Sequence, residues 1–463
     1  MRMIRTTNSL VFILLVVAVL AVYLFLTDFS LVLRFTQDGE FIESIKKFVG
    51  YNVPKTTDQP TVSKPDIDSD DNGLGFLKTP NGFKISVAAS GLTNPRVILF
   101  DARGRILVSE TKGGRVSVLE DPEPSPVASY GAGKDNYLKT RRTLIEGLRS
   151  PHGLAFFVEG EITYLYIAET HQVARYPYDI NTGKLLSTAG QNIATLPADG
   201  RHFTRTISFG RNTRDIDLVG EKVLKGLYSK DKLYISVGSS CDVCVEDSWK
   251  RAAILESDPE GTVTAEFAGG LRNSVFFTFH PETGEMWATE MGRDNLGDDL
   301  PPDEINIIKP AGPEQKFGAR RFGWPFCYGD RVEDETFKPE KVERTDIPTD
   351  CRATDAPIIE IPAHSAPLGL AFVPKAWSQF SGDLLVAYHG SWNRSEPAGY
   401  KIVRFKVDKN GKVSETSDFI TGWLDDNENK IYGRPVDLKF GPDGALYISD
   451  DTAGVIYKAI SNL

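Results

Sequence analysis

The chain has 463 residues, among them 41 Gly, 27 Pro and 26 Phe. This composition favours many short strands joined by tight turns over a helical protein. Its formal net charge of -10 argues against a nucleic-acid partner, because proteins that bind a phosphate backbone carry a basic surface.

The N-terminal region contains a run of 17 apolar residues at 10–26, preceded by Arg2 and Arg5. The run is longer than the ~7–15 residues of a signal-peptide core and about long enough to span a bilayer. We therefore expect residues 1–30 to form an N-terminal transmembrane helix, with a cleaved signal sequence as the alternative. The positive charge before the run predicts that the rest of the chain is extracellular or periplasmic.

The region that follows is interpreted as a linker, residues 31–75. Its second half is rich in Pro, Asp, Ser and Thr, a composition typical of flexible spacers. Residues 76–463 are then the main domain, tethered to a membrane through the N-terminal helix.

The four cysteines form two local pairs, Cys241 with Cys244 and Cys327 with Cys351. Because an exported domain permits disulfides, we expect two bridges. The first pair could instead be a redox dithiol. Haem attachment is disfavoured, since Val245 rather than a histidine follows the second cysteine.

The main domain repeats one pattern six times. In each repeat a polar segment, called here the leading segment, precedes an apolar strand that ends in Phe, and a turn then connects to a second strand. The six phenylalanines are Phe100, Phe156, Phe209, Phe279, Phe372 and Phe440. Such repeats predict an all-β fold, a six-bladed β-propeller with loop insertions. A β-sandwich with coincidental repetition is the alternative.

Every leading segment carries a cationic or imidazole side chain. These side chains are Arg96, Arg149, His152, His202, Arg272, His364 and Arg434. In a propeller the leading segments open on the same end of the central channel, so we expect a ring of cations around one cavity. The ring predicts a ligand that carries several negative charges.

Seven phrases of the sequence resemble the soluble quinoprotein sugar dehydrogenases, which use pyrroloquinoline quinone (PQQ), and most closely their sorbosone and pyranose branch. The phrases are SPHGLAF at 150–156, SSCDVC at 239–244, LRN at 271–273, DDLPPDEIN at 298–306, GWP at 323–325, HGSWN at 389–393 and YGRP at 432–435. PQQ has three carboxylates and an ortho-quinone, which suits a ring of cations.

The resemblance implies roles for individual residues. His202 is similar to the family's general base and Arg434 to an arginine near the quinone oxygens, so both are predicted to be catalytic. The cofactor-binding residues that the resemblance implies are Arg96, His152, Arg272, Asn273, His389 and Arg434. Gly292 and Arg293 match two positions whose backbone carbonyls hold Ca²⁺.

Two positions depart from the glucose dehydrogenases of that family. Ser239 stands where those enzymes have a carboxylate that supports the base, which leaves the partner of His202 open. The lysine near the cofactor has no counterpart, and His389 or Arg394 would have to supply its charge.

We therefore expect PQQ- and Ca²⁺-dependent oxidation of an aldose or sugar aldehyde, in which electrons pass to an external acceptor. Three alternatives remain. A Ca²⁺-dependent lactonase or strictosidine-synthase-like hydrolase would need carboxylate or Asn side chains at the channel centre. A membrane-tethered propeller without a cofactor, acting as a binding module, would not need His202 and Arg434 together. A dehydrogenase-like protein that has lost PQQ would show departures such as Ser239.

Overall fold

The structure is a computed structural model, and it describes residues 60–63, 74–120, 140–211, 231–311, 319–425, 427 and 429–461. The apolar run at 10–26 and most of the predicted linker lie outside the described residues. Within the described part of the chain, no helix is both long enough and apolar enough to cross a membrane. The N-terminal transmembrane helix therefore stays a prediction.

The described residues form six consecutive sheets of four or five strands, numbered here blades 1 to 6. Blade 1 contains Pro95–Phe100, Ile106–Glu110, Arg115–Glu120 and Thr140–Glu146. Blade 2 contains Leu154–Glu159, Ile162–Glu169, Gln172–Asp179, Lys184–Leu185 and Gln191–Thr195. Blade 3 contains Ile207–Arg211, Asp231–Val237, Ala253–Ser257, Thr264–Gly269 and the short parallel strand Arg320–Arg321.

The second half of the chain supplies the other three blades. Blade 4 contains Phe277–Phe279, Met286–Glu290, Asp303–Ile308 and Ile359–Ile361. Blade 5 contains Pro367–Phe372, Leu384–Tyr388, Lys401–Val407 and Val413–Ile420. Blade 6 contains Pro435–Phe440, Leu446–Asp450, Val455–Ser461 and, as its outermost strand, Phe83–Ala89 from the beginning of the domain.

Short elements lie between the blades. Cys327–Tyr328 pairs with Val332–Glu333, and single 3₁₀ turns lie at Cys351–Ala353 and Ser378–Phe380. Thr61–Val62, within the range predicted as a linker, pairs in parallel with Lys430–Ile431, which also pairs with Leu424–Asp425.

The six blades close into a ring through their first strands. The first strands of neighbouring blades contact each other in five of the six pairs, including blade 6 with blade 1. Between blades 3 and 4, the first strands meet where Gly210 lies against the Phe279 ring, so closely that a Cβ on Gly210 would lie 2.3 Å from that ring. Together with the low helical content, this closed order agrees with the predicted six-bladed β-propeller.

The second strands form the buried layer of each blade. Every residue of Ile106–Glu110, Met286–Glu290, Leu384–Tyr388 and Leu446–Asp450 is buried. Because each of these strands is covered by neighbouring blades on both faces, its apolar residues form a continuous run rather than alternating with polar ones.

In four blades the second strand ends in a buried carboxylic acid that fixes the leading segment of the same blade. The carboxyl oxygen accepts a hydrogen bond from a backbone N–H of that segment. The pairs are Glu110 with Thr93, Glu169 with Arg149, Glu290 with Asn273 and Asp450 with Arg434. The predicted functional side chains are therefore carried on backbone that the blade itself holds in place.

Candidate functional site

A cavity of about 280 Å³ opens where the leading segments of blades 3, 4 and 5 meet. Four of the predicted site residues line it: His202, Arg272, Asn273 and Gly292. His364, predicted as one of the ring of cations, also lines it. The remaining lining residues are Arg201, Met291, Asp294, Asp303, Ala366, Trp392 and Asn393.

His202 is held through its Nδ1 atom by Ser239. Nδ1 lies 2.9 Å from the Ser239 carbonyl oxygen and 2.9 Å from its hydroxyl oxygen. That hydroxyl already donates to the Cys241 carbonyl at 2.6 Å, so both serine oxygens face Nδ1 as acceptors. Nδ1 therefore carries the proton, and Nε2 is left as the basic atom of the ring.

The imidazole of His202 is neutral at physiological pH. Burial, followed by the charge of the nearby Arg272, lowers the pKa of His202 to about 3. A neutral ring with a free Nε2 is the form that can accept a proton from a hydroxyl group.

Arg272 is clamped by the loop that the Cys241–Cys244 disulfide closes. Its Nε donates to the Asp242 carbonyl at 2.9 Å, and its Nη2 donates to the Asp242 carboxylate at 2.7 Å. Its Nη1 donates to the Gly292 carbonyl at 2.8 Å. The guanidinium is thus fixed in one orientation at the cavity wall.

Both predicted disulfides are present. Cys241 is bonded to Cys244, and Cys327 is bonded to Cys351 at a sequence separation of 24 residues. The predicted pairing is confirmed. In the first pair, the enclosed residue Asp242 connects the disulfide loop to the cavity wall.

Two carboxylic acids line the cavity beside these groups. Asp294 accepts hydrogen bonds from Arg201 at 2.9 Å and from the Asn393 amide at 2.8 Å. Asp303 accepts the backbone N–H of Gly292 and that of Ala366, both at 2.9 Å. Through these two bonds Asp303 holds the Gly292 loop against blade 5. Burial raises the pKa of this acid to about 7.

A second polar group forms around Asp451, outside the residues that line the cavity. Arg96 Nη1 donates to Asp451 at 2.6 Å, and His389 Nε2 lies 3.0 Å from the other carboxylate oxygen. Although burial opposes it, His389 and Arg96 hold the pKa of Asp451 well below its usual range. Two predicted cofactor-binding residues therefore share one carboxylate.

His152 belongs to the interior of the propeller. The side chain is fully buried, and its Nδ1 lies 3.2 Å from the Thr206 hydroxyl. Among the described residues, no group forms a hydrogen bond with the buried Nε2 atom. Burial, followed by the charge of Arg96, lowers the pKa of His152 well below its ordinary value.

Arg434 is directed toward the loop that follows the second strand of blade 5. It donates to the Gly390 carbonyl at 2.7 Å and to the Tyr400 hydroxyl at 2.8 Å, and it lies 4.6 Å from the centre of the Tyr400 ring. The side chain of Arg293 leaves the cavity and pairs with Asp334 at 2.7 Å.

The structure therefore divides the predicted ring of cations into two groups. His202, Arg272 and His364 line the cavity, whereas Arg96 is paired with Asp451 and Arg434 with the loop of blade 5. The sequence analysis missed the acids that organise both groups. Asp242 had a usable signal, since it lies between two cysteines.

The chain belongs to the TrAA12-like family, whose model matches residues 77–460. It is 28% identical to an uncharacterized protein of Borreliella burgdorferi, over 82% of this chain and 90% of that protein. It is 26% identical to a Coprinopsis cinerea protein named pyrroloquinoline quinone-dependent pyranose dehydrogenase, over 82% of this chain and 54% of that protein. The alignment thus spans about half the length of the Coprinopsis protein.

Solved structures share the fold. The holo form of the PQQ domain of pyranose dehydrogenase from Coprinopsis cinerea is 23% identical, with a TM-score of 0.64 and coverage of 86% of this chain and 98% of that one. The calcium structure of the Trichoderma reesei carbohydrate-active enzyme of family AA12 is 21% identical, with a TM-score of 0.66 and coverage of 88% and 99%. The resemblance that the seven phrases indicated is confirmed.

Proposed function

We propose that the domain is a quinoprotein dehydrogenase that oxidises an aldose or a sugar aldehyde, with PQQ and Ca²⁺ bound at the cavity. The observation that carries the proposal is His202, a neutral imidazole with a free Nε2, beside the fixed pair Arg272 and Asn273 in one cavity. Membership of the TrAA12-like family, with relatives named as PQQ-dependent sugar dehydrogenases, supports it.

The cavity fits PQQ in size and charge. Its volume of about 280 Å³ is close to the lower end of the ~300–1,000 Å³ of small-molecule sites. Arg201 and Arg272 offer two guanidinium groups to the carboxylates of the cofactor, and Asn273 lies beside them. When bound there, PQQ supplies the ortho-quinone that accepts a hydride.

The same wall fits a calcium ion. Ca²⁺ prefers oxygen ligands, and the cavity offers the carboxylates of Asp294 and Asp303 next to the Gly292 backbone. Asp303 accepts a hydrogen bond from the Gly292 N–H, so it holds the residue whose carbonyl we assign to Ca²⁺. That carbonyl accepts a hydrogen bond from Arg272, which Ca²⁺ would replace. We assign the Arg293 carbonyl to the same ion.

The chain's own residues handle the proton of the reaction. His202 accepts the hydroxyl proton of the sugar at Nε2, while Ser239 keeps the opposite nitrogen protonated. Arg272 stabilises negative charge that develops at the cavity wall. Arg434, Arg96 and His389 lie outside the residues that line the cavity, and His152 is fully buried. We keep all four in the proposed cofactor-binding set, and Arg434 beside His202 as a proposed catalytic residue, because the family resemblance implies these roles.

We place the domain outside the cell or in the periplasm, anchored by the apolar run at 10–26. Two disulfides support an oxidising compartment. The electrons leave to an external acceptor, and the partners are a small sugar and a membrane rather than nucleic acid.

Reconstitution of the purified chain with PQQ and Ca²⁺, followed by a dye-reduction screen over aldoses and sugar aldehydes, tests the proposal. We expect dye reduction with at least one sugar, and its loss when either PQQ or Ca²⁺ is withheld. Absence of PQQ binding by calorimetry in the presence of Ca²⁺ would overturn the proposed function.

A Ca²⁺-dependent hydrolase is a second candidate, because Asp294 and Asp303 place two carboxylates at the cavity. Lactone hydrolysis by the protein with Ca²⁺ and without PQQ would favour this candidate over the dehydrogenase.

A further inference from the structure

The segment that carries His202 has no regular secondary structure. It connects the last strand of blade 2, which ends at Thr195, to the first strand of blade 3, which begins at Ile207. Because such a segment lacks a ladder of backbone hydrogen bonds, its conformation depends on the groups that bind its individual carbonyls and N–H groups. These contacts therefore decide how precisely His202 is placed.

Arg205 supplies three of these contacts. Its side chain is fully buried. Nη1 donates to the His202 carbonyl at 2.8 Å and to the Thr204 carbonyl at 2.7 Å, and Nη2 donates to the Pro197 carbonyl at 2.8 Å. The guanidinium thus joins the two ends of the segment 197–204 and binds the backbone of His202 directly.

No carboxylate takes part in this arrangement. Within the described part of the chain, the hydrogen bonds of the guanidinium all go to backbone carbonyls, and Asp199 pairs with Arg251 instead. Burial, followed by the charge of Arg251, lowers the pKa of Arg205 to about 9. Burying a cation without a counter-charge destabilises a fold, so stability alone does not explain a guanidinium at this position.

The backbone of Arg205 is fixed independently of its side chain. Its carbonyl accepts a hydrogen bond from the Gly153 N–H at 2.8 Å, and a Cβ on Gly153 would lie 2.6 Å from the same oxygen. Blade 2 therefore packs directly against Arg205, which reaches back to His202 from a fixed position. Because Ser239 binds the imidazole at Nδ1, His202 is held both at its backbone and at its ring.

These contacts require a guanidinium rather than any cation. Its two terminal nitrogens diverge, so one side chain can bind carbonyls at both ends of the segment. A lysine at this position would keep the positive charge, but its single nitrogen could not reproduce the fork. The Arg205→Lys variant therefore separates the geometry of the contact from its charge.

We propose that Arg205 is a positioning residue for proton transfer, which holds the imidazole of His202 through the His202 carbonyl so that Nε2 remains available to the sugar hydroxyl. The role rests on the proposed function, because it presumes that His202 is the base. A displacement of about 1 Å in a reacting group can lower a rate by about 10²-fold, so the hold on the backbone acts directly on turnover.

Steady-state dye-reduction assays with PQQ and Ca²⁺ compare the wild type with Arg205→Lys and Arg321→Lys. Arg321→Lys is the matched control, since it also replaces a buried guanidinium of blade 3, one that pairs with Glu266. We expect the kcat of Arg205→Lys to fall by about 10–100-fold. The KM for the sugar and the PQQ affinity, measured by calorimetry, should stay within a few-fold, and Arg321→Lys should keep the wild-type kcat.

The tautomer of His202 gives a second measurement that does not depend on turnover. Nitrogen-15 NMR of the histidine-labelled chain at pH 7, without PQQ, distinguishes a ring protonated at Nδ1 from one protonated at Nε2. The spectrum of His202→Gln assigns the signals. We expect a single Nδ1–H form in the wild type and in Arg321→Lys, and a mixture of the two forms in Arg205→Lys.

Arg205→Gln is made in parallel, because it removes the buried charge and so provides a folded variant if Arg205→Lys does not fold. Wild-type kcat in a folded Arg205 variant would overturn the positioning role. A fall in kcat with a single Nδ1–H form would also overturn it, since the effect would then not act through the ring of His202. A mixture of tautomers in the variant of a chain that oxidises no sugar as wild type would instead refute the proposed oxidation and leave the hold on His202 intact.

Discussion

His202 is oriented by a backbone carbonyl and a hydroxyl rather than by a carboxylate. The Ser239 oxygens fix the ring at Nδ1, but they bring no negative charge that would stabilise an imidazolium. Burial and the charge of Arg272 therefore lower the pKa of His202, and the Ser239 carbonyl and the charge of Asp242 offset only part of that effect. The imidazole of His202 therefore stays neutral well into the acidic pH range, but it is a weaker base than an ordinary histidine.

His202→Gln is the first residue-scale prediction. We expect turnover with the best sugar to fall by about 10²–10⁴, the usual contribution of a positioned base. PQQ affinity should stay within a few-fold, because the arginines rather than His202 carry the charge that the cofactor meets. Steady-state dye-reduction assays measure turnover, and calorimetry measures PQQ affinity. A variant that keeps most of its sugar oxidation would mean that another residue is the base.

His152 makes the fold sensitive to acid. Its pKa in the folded state lies well below the ordinary value, so below pH ~6.5 the unfolded chain binds a proton that the folded chain does not. Stability is then lost as the pH falls. For a histidine with an unfolded-state pKa of ~6.5, this linkage lowers the unfolding free energy by at most about 2 kcal/mol between pH 7 and pH 5.

His152→Gln should reduce that loss. Denaturant unfolding at pH 7 and at pH 5 gives the difference in unfolding free energy for both proteins, and the difference should be smaller in the variant by up to about 2 kcal/mol. His171→Gln is the matched control, because it removes a histidine that is only half-buried, whereas His152 is fully buried. An unchanged difference in His152→Gln would contradict the prediction.

At the scale of elements, the disulfide loop 241–244 acts as a clamp on the leading segment of blade 4. The carbonyl and the carboxylate of Asp242 both bind Arg272, whose side chain is 5% exposed. Removing one residue of a buried ion pair leaves the other residue charged but without a counter-charge, which destabilises the fold. Asp294, at 3.3 Å from the same guanidinium, offsets part of that loss.

Asp242→Ala should therefore lower the free energy of unfolding by about 2–3 kcal/mol, less than the cost of an entirely unpaired buried charge. Thermal and denaturant unfolding of the purified chain measure the change. Glu343→Ala is the control, since the Lys341–Glu343 pair is exposed on both sides and its loss should not be measurable. Equal stability of Asp242→Ala and the wild type would mean that Asp294 and the backbone carbonyls of residues 242 and 292, which remain in the variant, suffice to hold Arg272.

The second disulfide constrains a longer segment. Cys327 and Cys351 are separated by 24 residues, and closing a loop of this length stabilises the fold by about 3 kcal/mol in the chain-entropy model. Replacement of both cysteines by serine should lower the unfolding free energy by that amount. Mass spectrometry of the wild type should find no free thiol at either position.

The sequence predicted elements well wherever one recurring signal marked them. The Phe-ended strands led directly to second strands such as Ile106–Glu110 and Met286–Glu290, with the observed boundaries. The outer strands lack such a signal. Ile359–Ile361, for example, pairs with Asp303–Ile308 in blade 4, but the insertion that carries Cys327 and Cys351 separates the two strands in the sequence. No local sequence pattern predicts this pairing.

The site was predictable only in part, for a similar reason. His202, Arg272 and Asn273 were found because a repeated phrase marks each leading segment. The acid that pairs with Arg96 was not, because Asp451 lies 355 residues away in the sequence. Which charged residues pair depends on which blades lie next to each other in the folded domain. No short stretch of sequence contains that information.

At the scale of the whole molecule, blade 6 is built from both ends of the domain. Phe83–Ala89 pairs with Val455–Ser461, so the outermost strand of the last blade is the first strand of the propeller along the chain. The entropy of joining distant segments grows only with the logarithm of their separation. Pairing the two ends of the domain therefore adds little to the entropic cost of folding. Its main effect is on the order in which the blades form during synthesis.

A ribosome delivers residues 83–89 long before residues 455–461, so the first strand must wait for nearly the entire domain before it finds its partner. During that interval it has an unpaired backbone edge, which can join a strand of another chain. Five blades can assemble as they emerge, whereas the ring stays open until residues 455–461 have been made. A nascent chain stalled before residue 455 should therefore be far more susceptible to proteolysis and association than one in which residues 455–461 have emerged.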